Sequence, residues 1–419
     1  MSAELISVLP FVIFILSMAV VPLINLGWWE KNYYYFSFIP AVITILFYFF
    51  VINNSEKIFH SFFEYISFIS LIFSLYVVAG GIFLKIKGKS TPLKNVLFLL
   101  IGSLLANFIG TIGASIILIR PFINSNKYHL KPYHIIFFIF SVCNIAGCLT
   151  PLGNPPLFIG FLKGVPFFWM LNNIFIVWVI CILYLLVVFY AIDKLNYNKI
   201  GKSIREQIEV KGEEFKISGI SNIILFLVII FSVFLKEPVF LRDVIMLLCA
   251  VLSYKFTPKE IHSRNGFSFA PIREVAILFF AIFITMVPVV SYLSDKHTEL
   301  GNISTSLIYW LTGAMTSILD NAPAYLNSLT FSMSVSGFSV NNPVEVAEFI
   351  NLNSVLFGAV TVSSVFFGAM TYLGNGPNFI IRAIAENKGL KMPGFLRYIY
   401  AYSVPVLIPI FVLVWLLFF

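Results

Sequence analysis

The 419-residue sequence is 59% hydrophobic and only 11% charged, with a mean hydropathy of +0.95; a water-soluble globular chain carries about 25% charged residues. That composition excludes a separate soluble domain. The formal net charge of +8 does not point to nucleic acid, because the Lys and Arg residues are dispersed through short loops between apolar runs, where they set membrane orientation.

In chain order, apolar segments long enough to cross a hydrocarbon core of roughly 30 Å run over 4–27, 33–53, 61–84, 134–165, 166–191, 219–235, 239–256, 275–296, 347–381 and 398–419. The first of these follows Glu4 rather than a basic stretch and has no small-residue cleavage site behind it, so it is expected to be a retained span. Two more apolar stretches, 95–124 and 303–331, are interrupted halfway, by Gly110-Thr-Ile-Gly113 and Asp320-Asn-Ala-Pro323. An arm of about fourteen residues rises roughly 21 Å as a helix, too little to cross. Each stretch is therefore either one interrupted crossing or a re-entrant hairpin.

Charge decides between the two. With both stretches as hairpins and the N-terminus outside, the loops 28–32, 85–94, 120–133, 192–218, 255–273 and 382–397 share the cytoplasmic face and hold 22 of the 27 Lys and Arg residues. Full crossings instead split the charges 13 against 14. The positive-inside bias thus predicts an all-α integral membrane protein of about ten transmembrane helices and two re-entrant hairpins. Residues 1–191 form one repeat, with hairpin 95–124 and broken helix 134–165; 192–218 form a cytoplasmic linker; 219–419 form an inverted second repeat, with hairpin 303–331 and broken helix 347–381. Both termini lie outside.

The repeat is legible in the letters. Gly147 to Ile159 (GCLTPLGNPPLFI) and Gly368 to Ile380 (GAMTYLGNGPNFI) match without gaps at Gly, Thr, Leu, Gly, Asn, Pro, Phe and Ile. Pro and Gly in the middle of each segment unwind the helix, and unwound backbone at membrane depth is tolerated only where it lines protein or water. Its free carbonyls, with Thr150, Gly153 and Asn154 in the first copy and Thr371, Gly374, Asn375 and Asn378 in the second, are oxygen donors suited to a small hard cation.

Asp320 is the one carboxylate expected deep in the membrane, where a charge costs roughly 3 kcal/mol on insertion scales. Low dielectric favours the neutral carboxyl and a nearby cation the charged one, so one such group can exchange a proton for a metal ion; capping the helix that starts at Asn321 is its other reading. Asp320, Asn154 and Asn375 are the expected Na⁺ ligands, and Asn321, Thr111, Ser115, Thr316 and Ser317 flank the interruptions. Ser and Thr in membrane helices more often bond their own backbone. Arg120, Lys163 and Arg382 read as snorkelling side chains at helix ends. The cysteines Cys143, Cys148, Cys181 and Cys249 lack metal-type spacing, and the five histidines fall in or beside loops.

Taken in order, Gly110-Thr-Ile-Gly-Ala-Ser115 continuing into Leu118-Ile-Arg-Pro121, Thr150 to Pro156, Leu319-Asp-Asn-Ala-Pro323 and Gly374-Asn-Gly-Pro-Asn378 resemble the ion transporter superfamily over essentially the whole length. That superfamily includes citrate carriers, divalent-anion:sodium symporters, arsenite pumps and NhaD-type sodium/proton antiporters. In dicarboxylate members a Ser-Asn-Thr motif at each hairpin tip holds substrate carboxylates beside bound sodium. The tips here read Gly113-Ala-Ser115 and Asp320-Asn-Ala322, and a fixed carboxylate repels a dianion unless protonated or covered by sodium. The resemblance therefore implies a secondary transporter, first a sodium/proton antiporter with Asp320 and Asn321 as the coupling site, and alternatively a sodium- or proton-coupled carrier of citrate or a dicarboxylate. Phosphate-loop, His-Glu-x-x-His and haem-ligand patterns are missing, so no enzyme activity and no cofactor beyond Na⁺ is expected. The expected partners are a small inorganic ion and the proton, a carboxylate in the alternative reading, the lipid bilayer and a second copy of the chain, in a bacterial inner membrane.

Overall fold

The structure, a computed structural model, describes residues 3–87, 90–200, 214–235, 238, 240–295 and 303–419. Residues 201–213 of the expected linker lie outside the described residues. The chain is helical almost throughout, as it must be where lipid offers backbone groups no partner. It runs α1 (Ala3–Ile24), α2 (Leu26–Phe50), α3 (Ser55–Gly80), β1 (Phe83–Lys87), α4 (Pro92–Ser125), α5 (Pro132–Ser141), α6 (Pro155–Leu162), α7 (Trp169–Asn198) and β2 (Glu214–Ser218). Then follow α8 (Ser221–Ser232), α9 (Leu241–Phe256), α10 (Lys259–Asn265), α11 (Ala270–Asp295), α12 (Thr305–Ile318), α13 (Asn321–Val335), α14 (Pro343–Leu352), α15 (Ser354–Phe366), α16 (Gly376–Asn387) and α17 (Phe395–Phe418).

Among the described residues six helices are long and apolar enough to cross a bilayer, or seven if the bent pair Pro343–Leu352 and Ser354–Met370 is one span. This makes the chain a multi-pass integral membrane protein, with fewer full-length crossings than the ten expected. The segments 219–235 and 239–256 are short helices of 12 and 16 residues. The segment 347–381 begins later than its hydropathy implies, because the chain turns by 102° between α14 and α15. Two short strands interrupt the expected all-α pattern: β1 and β2 pair antiparallel, with Leu84 opposite Ile217. Large side chains such as Ile13, Phe50, Leu248 and Leu416 stay exposed on the bundle's outside, the surface a hydrocarbon solvent requires.

Helix α4 decides the hairpin question for residues 95–124. A straight helix would hold Asn95 and Asn126 about 46 Å apart, yet their side chains hydrogen-bond each other at 2.8 and 3.0 Å, and Phe98 packs on Phe122 at 5.1 Å. The reversal falls at Gly110, whose φ of +74° and ψ of 154° belong to a conformation L side chains avoid. In the second half the break comes between α12 and α13, where Leu319 and Asp320 are both extended and the two helices pack against each other.

Helices α3 and α11 pack against each other through Phe68 stacked on Phe279 at 4.7 Å and through the hydroxyls of Ser61 and Tyr65, which donate to the carbonyls of Phe283 and Ala276. One end of the bundle gathers basic loops. There Asn222 donates to Gly81 and Thr257, Asn265 to Gly80 and Ile82, and Lys131 to Asn196. At the other end Lys163, buried, pairs with Glu64 at 2.9 Å and donates to Asn341 at 3.2 Å. Lys163 is thus an inward-held partner rather than a snorkelling cation. Arg382 pairs with Glu386 at 3.0 Å and lies over the Tyr372 ring.

Candidate transport site

Both broken helices unwind through a short 3-10 turn, Ile145–Cys148 and Phe367–Met370, into a loop that ends at an asparagine before the next helix, Asn154 before α6 and Asn375 before α16. The reason the same letters recur is steric. A Cβ on Gly147 would meet the Gly153 carbonyl oxygen at 2.5 Å, and a Cβ on Gly374 would meet that of Gly368 at 2.7 Å. Each loop closes on itself through two glycines that admit no side chain.

Each loop is then pinned to a hairpin in the same manner. The Thr150 hydroxyl donates to the carbonyl of Asn107, three residues before the reversal at Gly110, and accepts from the Gly153 N–H. The Thr371 hydroxyl donates to the carbonyl of Ser317, three residues before Asp320, and accepts from the Gly374 N–H. The Thr111 N–H closes the first contact on the Gly153 carbonyl at 2.8 Å.

Asparagines join the two sets. Asn144 donates to Asn378 Oδ1 at 2.7 Å, Asn375 donates to the Cys143 carbonyl at 2.8 Å, and Asn378 returns its own N–H groups to the carbonyls of Gly368 and Thr371. Asn321 at the second tip donates to Asn154 Oδ1 at 2.9 Å, leaving Asn154 Nδ2 and Asn321 Oδ1 buried without a protein partner. Asn144 is essential to this lattice and has no counterpart in the repeated letters; its only signal is an amide inside an apolar run.

Asp320 caps α13, accepting from the Ala322 N–H at 3.2 Å, and the backbone N–H groups of Asn321 and of Gly376, at the start of α16, lie near enough to favour its charged form. The charge therefore sits at the starts of two helices, α13 and α16, where backbone dipoles favour an anion. It faces a cavity of about 150 Å³ that it shares with Tyr372, Asn375, Gly376 and Glu274 and that extends to Trp29 and Pro271, near the end with the basic loops. Glu274 was not singled out by sequence. Asp320 is also not the only inward carboxylate: Asp193 and Asp243 are more deeply buried, near helix ends, Asp243 held by Ser67 and Arg242 and Asp193 by Tyr133 and Asn95.

The remaining candidates divide. Asn375 and Asp320 share the cavity, whereas Asn154 lies off its wall, linked through Asn321; the three expected Na⁺ ligands do not form one lining. Thr111, Gly153 and Pro155 border a separate space of about 10 Å³ at the first tip. Thr316 and Ser317 donate to their own helix at Thr312 and Gly313, and Ser115 pairs with Cys143 Sγ at 3.1 Å. No curated protein matches the sequence. A sequence model of the family described as "Putative citrate transport" matches residues 1–419, from the first span through both pinned loops to the last helix, and the chain belongs to that family.

Proposed function

We propose that this chain is a secondary active transporter that carries a small carboxylate of the citrate class together with a coupling cation, Na⁺ or H⁺, bound at Asp320. The observation that carries the reading is the Asp320 carboxylate at the meeting of α13 and α16, facing a cavity in a chain matched end to end by a citrate-transport family. At neutral pH citrate is multiply negative, and an ionised Asp320 repels it; a cation on Asp320 removes the repulsion and leaves the helix N-termini free to attract the anion. Coupling then follows from order: the cation must arrive for the carboxylate to bind.

The matched pins, Thr150 to Asn107 and Thr371 to Ser317, support two inverted repeats, residues 1–191 and 219–419, whose relative rocking gives alternating access. The basic loops gathered at one end support that end as cytoplasmic, with both termini outside and the cavity open inward. Because the cavity is lined, among the described residues, by Asp320 and Glu274 and by no Lys, Arg or His, sodium/proton exchange at Asp320 is the second reading. The test is labelled-citrate uptake into proteoliposomes under imposed Na⁺ or pH gradients. Gradient-driven accumulation supports the carboxylate reading; Na⁺-driven proton movement without citrate uptake replaces it with the exchanger.

A further inference from the structure

We propose that His129, His134 and Asp193 form a binding site for a divalent transition-metal ion of the Zn²⁺ class at the base of the first hairpin, clamping the connection after α4 to α5 and α7. All three residues are buried, and one ligand atom from each lies within 4.8 Å of the other two. His134 Nε2 and Asp193 Oδ1 stand 3.2 Å apart. Adjacent ligands of a tetrahedral ion with bonds of about 2.0–2.1 Å are separated by about 3.3 Å, so this pair already has the spacing of two metal ligands.

The outer atoms of the three side chains are held as ligation requires. The Lys131 N–H donates to His134 Nδ1 at 3.1 Å and the Lys131 carbonyl lies 3.3 Å from the same nitrogen, which holds the ring with Nε2, and the proton a metal ion would displace there, turned to the cluster. His129 Nε2 lies 3.4 Å from Ser90 Oγ, leaving Nδ1 buried and without a hydrogen-bond partner. Asp193 is fixed by Tyr133 on Oδ1 at 2.6 Å and by Asn95 on Oδ2 at 2.9 Å. Ligating carboxylates are characteristically hydrogen-bonded in this way, and His129 has its second nitrogen beside a hydroxyl as ligating imidazoles do. The Lys131 ammonium is engaged by Asn196 Oδ1 at 2.7 Å.

Two imidazoles and one carboxylate suit Zn²⁺ or Co²⁺ better than Na⁺ or Mg²⁺, which prefer oxygen. The ends of the hairpin carrying Gly110 meet at Asn95 and Asn126 beside this cluster, so an ion here would fix the hairpin's base without touching the cavity at Asp320.

The test is titration of the purified, chelator-stripped full-length protein with Co²⁺ alone, read by visible absorption and followed by displacement with Zn²⁺. The expected result is one Co²⁺ per chain with the intense bands of a low-coordinate site. His129→Gln and His134→Gln should each abolish that spectrum, and Ser90→Ala, outside the ligand set, should weaken binding about tenfold. A featureless spectrum, or one unchanged in both histidine variants, overturns the site. Should His134→Gln fail to fold, His129→Gln and Ser90→Ala decide alone, and unaltered Co²⁺ affinity in both overturns it equally.

Discussion

Replacing Asp320 by Asn removes a charge while sparing the fold, and the two effects are separable from the geometry. Asn keeps an oxygen at the Oδ1 position, where the Ala322 N–H donates at 3.2 Å, and Asn caps helices about as well as Asp. What the fold loses is the attraction of a full charge to two helix starts, about 0.3–1 kcal/mol each. What the cation loses is a charge-assisted contact worth about 1.5–3 kcal/mol, or roughly 10–150-fold in affinity at 1.4 kcal/mol per decade. The assay is citrate uptake into proteoliposomes as a function of the concentration of the driving cation, beside a thermal melt in detergent. The expected result is a melt within a few degrees of the native protein and a half-saturating cation concentration raised at least about tenfold. A variant with native cation dependence would refute the assignment of Asp320 as the coupling site.

Gly153→Ala and Gly374→Ala each force a Cβ against a carbonyl of the facing glycine segment; overpacking of this kind costs about 1–3 kcal/mol, and both should lower the melting temperature and abolish transport, while Gly389→Ala, with open space around it but a positive φ, should be milder. Asn144→Leu takes the donor from buried Asn378 Oδ1 and the acceptor from one N–H of buried Asn375, an expected loss of about 1–3 kcal/mol for each such group, measured as a melt shift that the exposed Asn172→Leu does not reproduce. Breaking the Lys163–Glu64 pair with Lys163→Met should slow transport, and the double swap Lys163→Glu, Glu64→Lys should restore part of it; equal rates for single and double variants would remove the pair from the mechanism. Burial, helped by the neighbouring His134, pushes His129 from its ordinary value near 6.5 down to about 4 in the folded chain, so the unfolded chain binds the extra proton between those values. Stability should therefore fall as pH drops through that window, and His129→Gln should flatten the fall in pH-dependent melts.

The transport site was legible in the sequence where backbone geometry dictates the residue. Gly147, Gly153, Gly368 and Gly374 recur because each loop brings two backbone segments too close for a side chain, and Thr150 and Thr371 recur because each hydroxyl ties a loop to a hairpin. The reversal at Gly110 was predicted from charge rather than from local pattern. The bend between α14 and α15 was hidden because hydropathy reports apolarity and not direction. The strands β1 and β2 are five residues each and sit far apart in sequence, so neither carried a period long enough to read. The cluster of His129, His134 and Asp193 was invisible for a related reason: His134 and Asp193 meet only through the packing of α5 against α7, and five histidines near loops carry no spacing rule. Of the expected cation ligands, Asn375 lines the cavity with Asp320 and Asn154 does not, a grouping that depends on how the two halves pack and not on the repeated letters.

The most direct measurement of the central claim is simultaneous recording of labelled citrate and internal pH in proteoliposomes holding the full chain, with a Na⁺ or proton gradient as the only driving force. Accumulation of citrate above its external concentration, with matching dissipation of the driving gradient, is the predicted result. Citrate that remains at or below equilibrium while the gradient persists would contradict it.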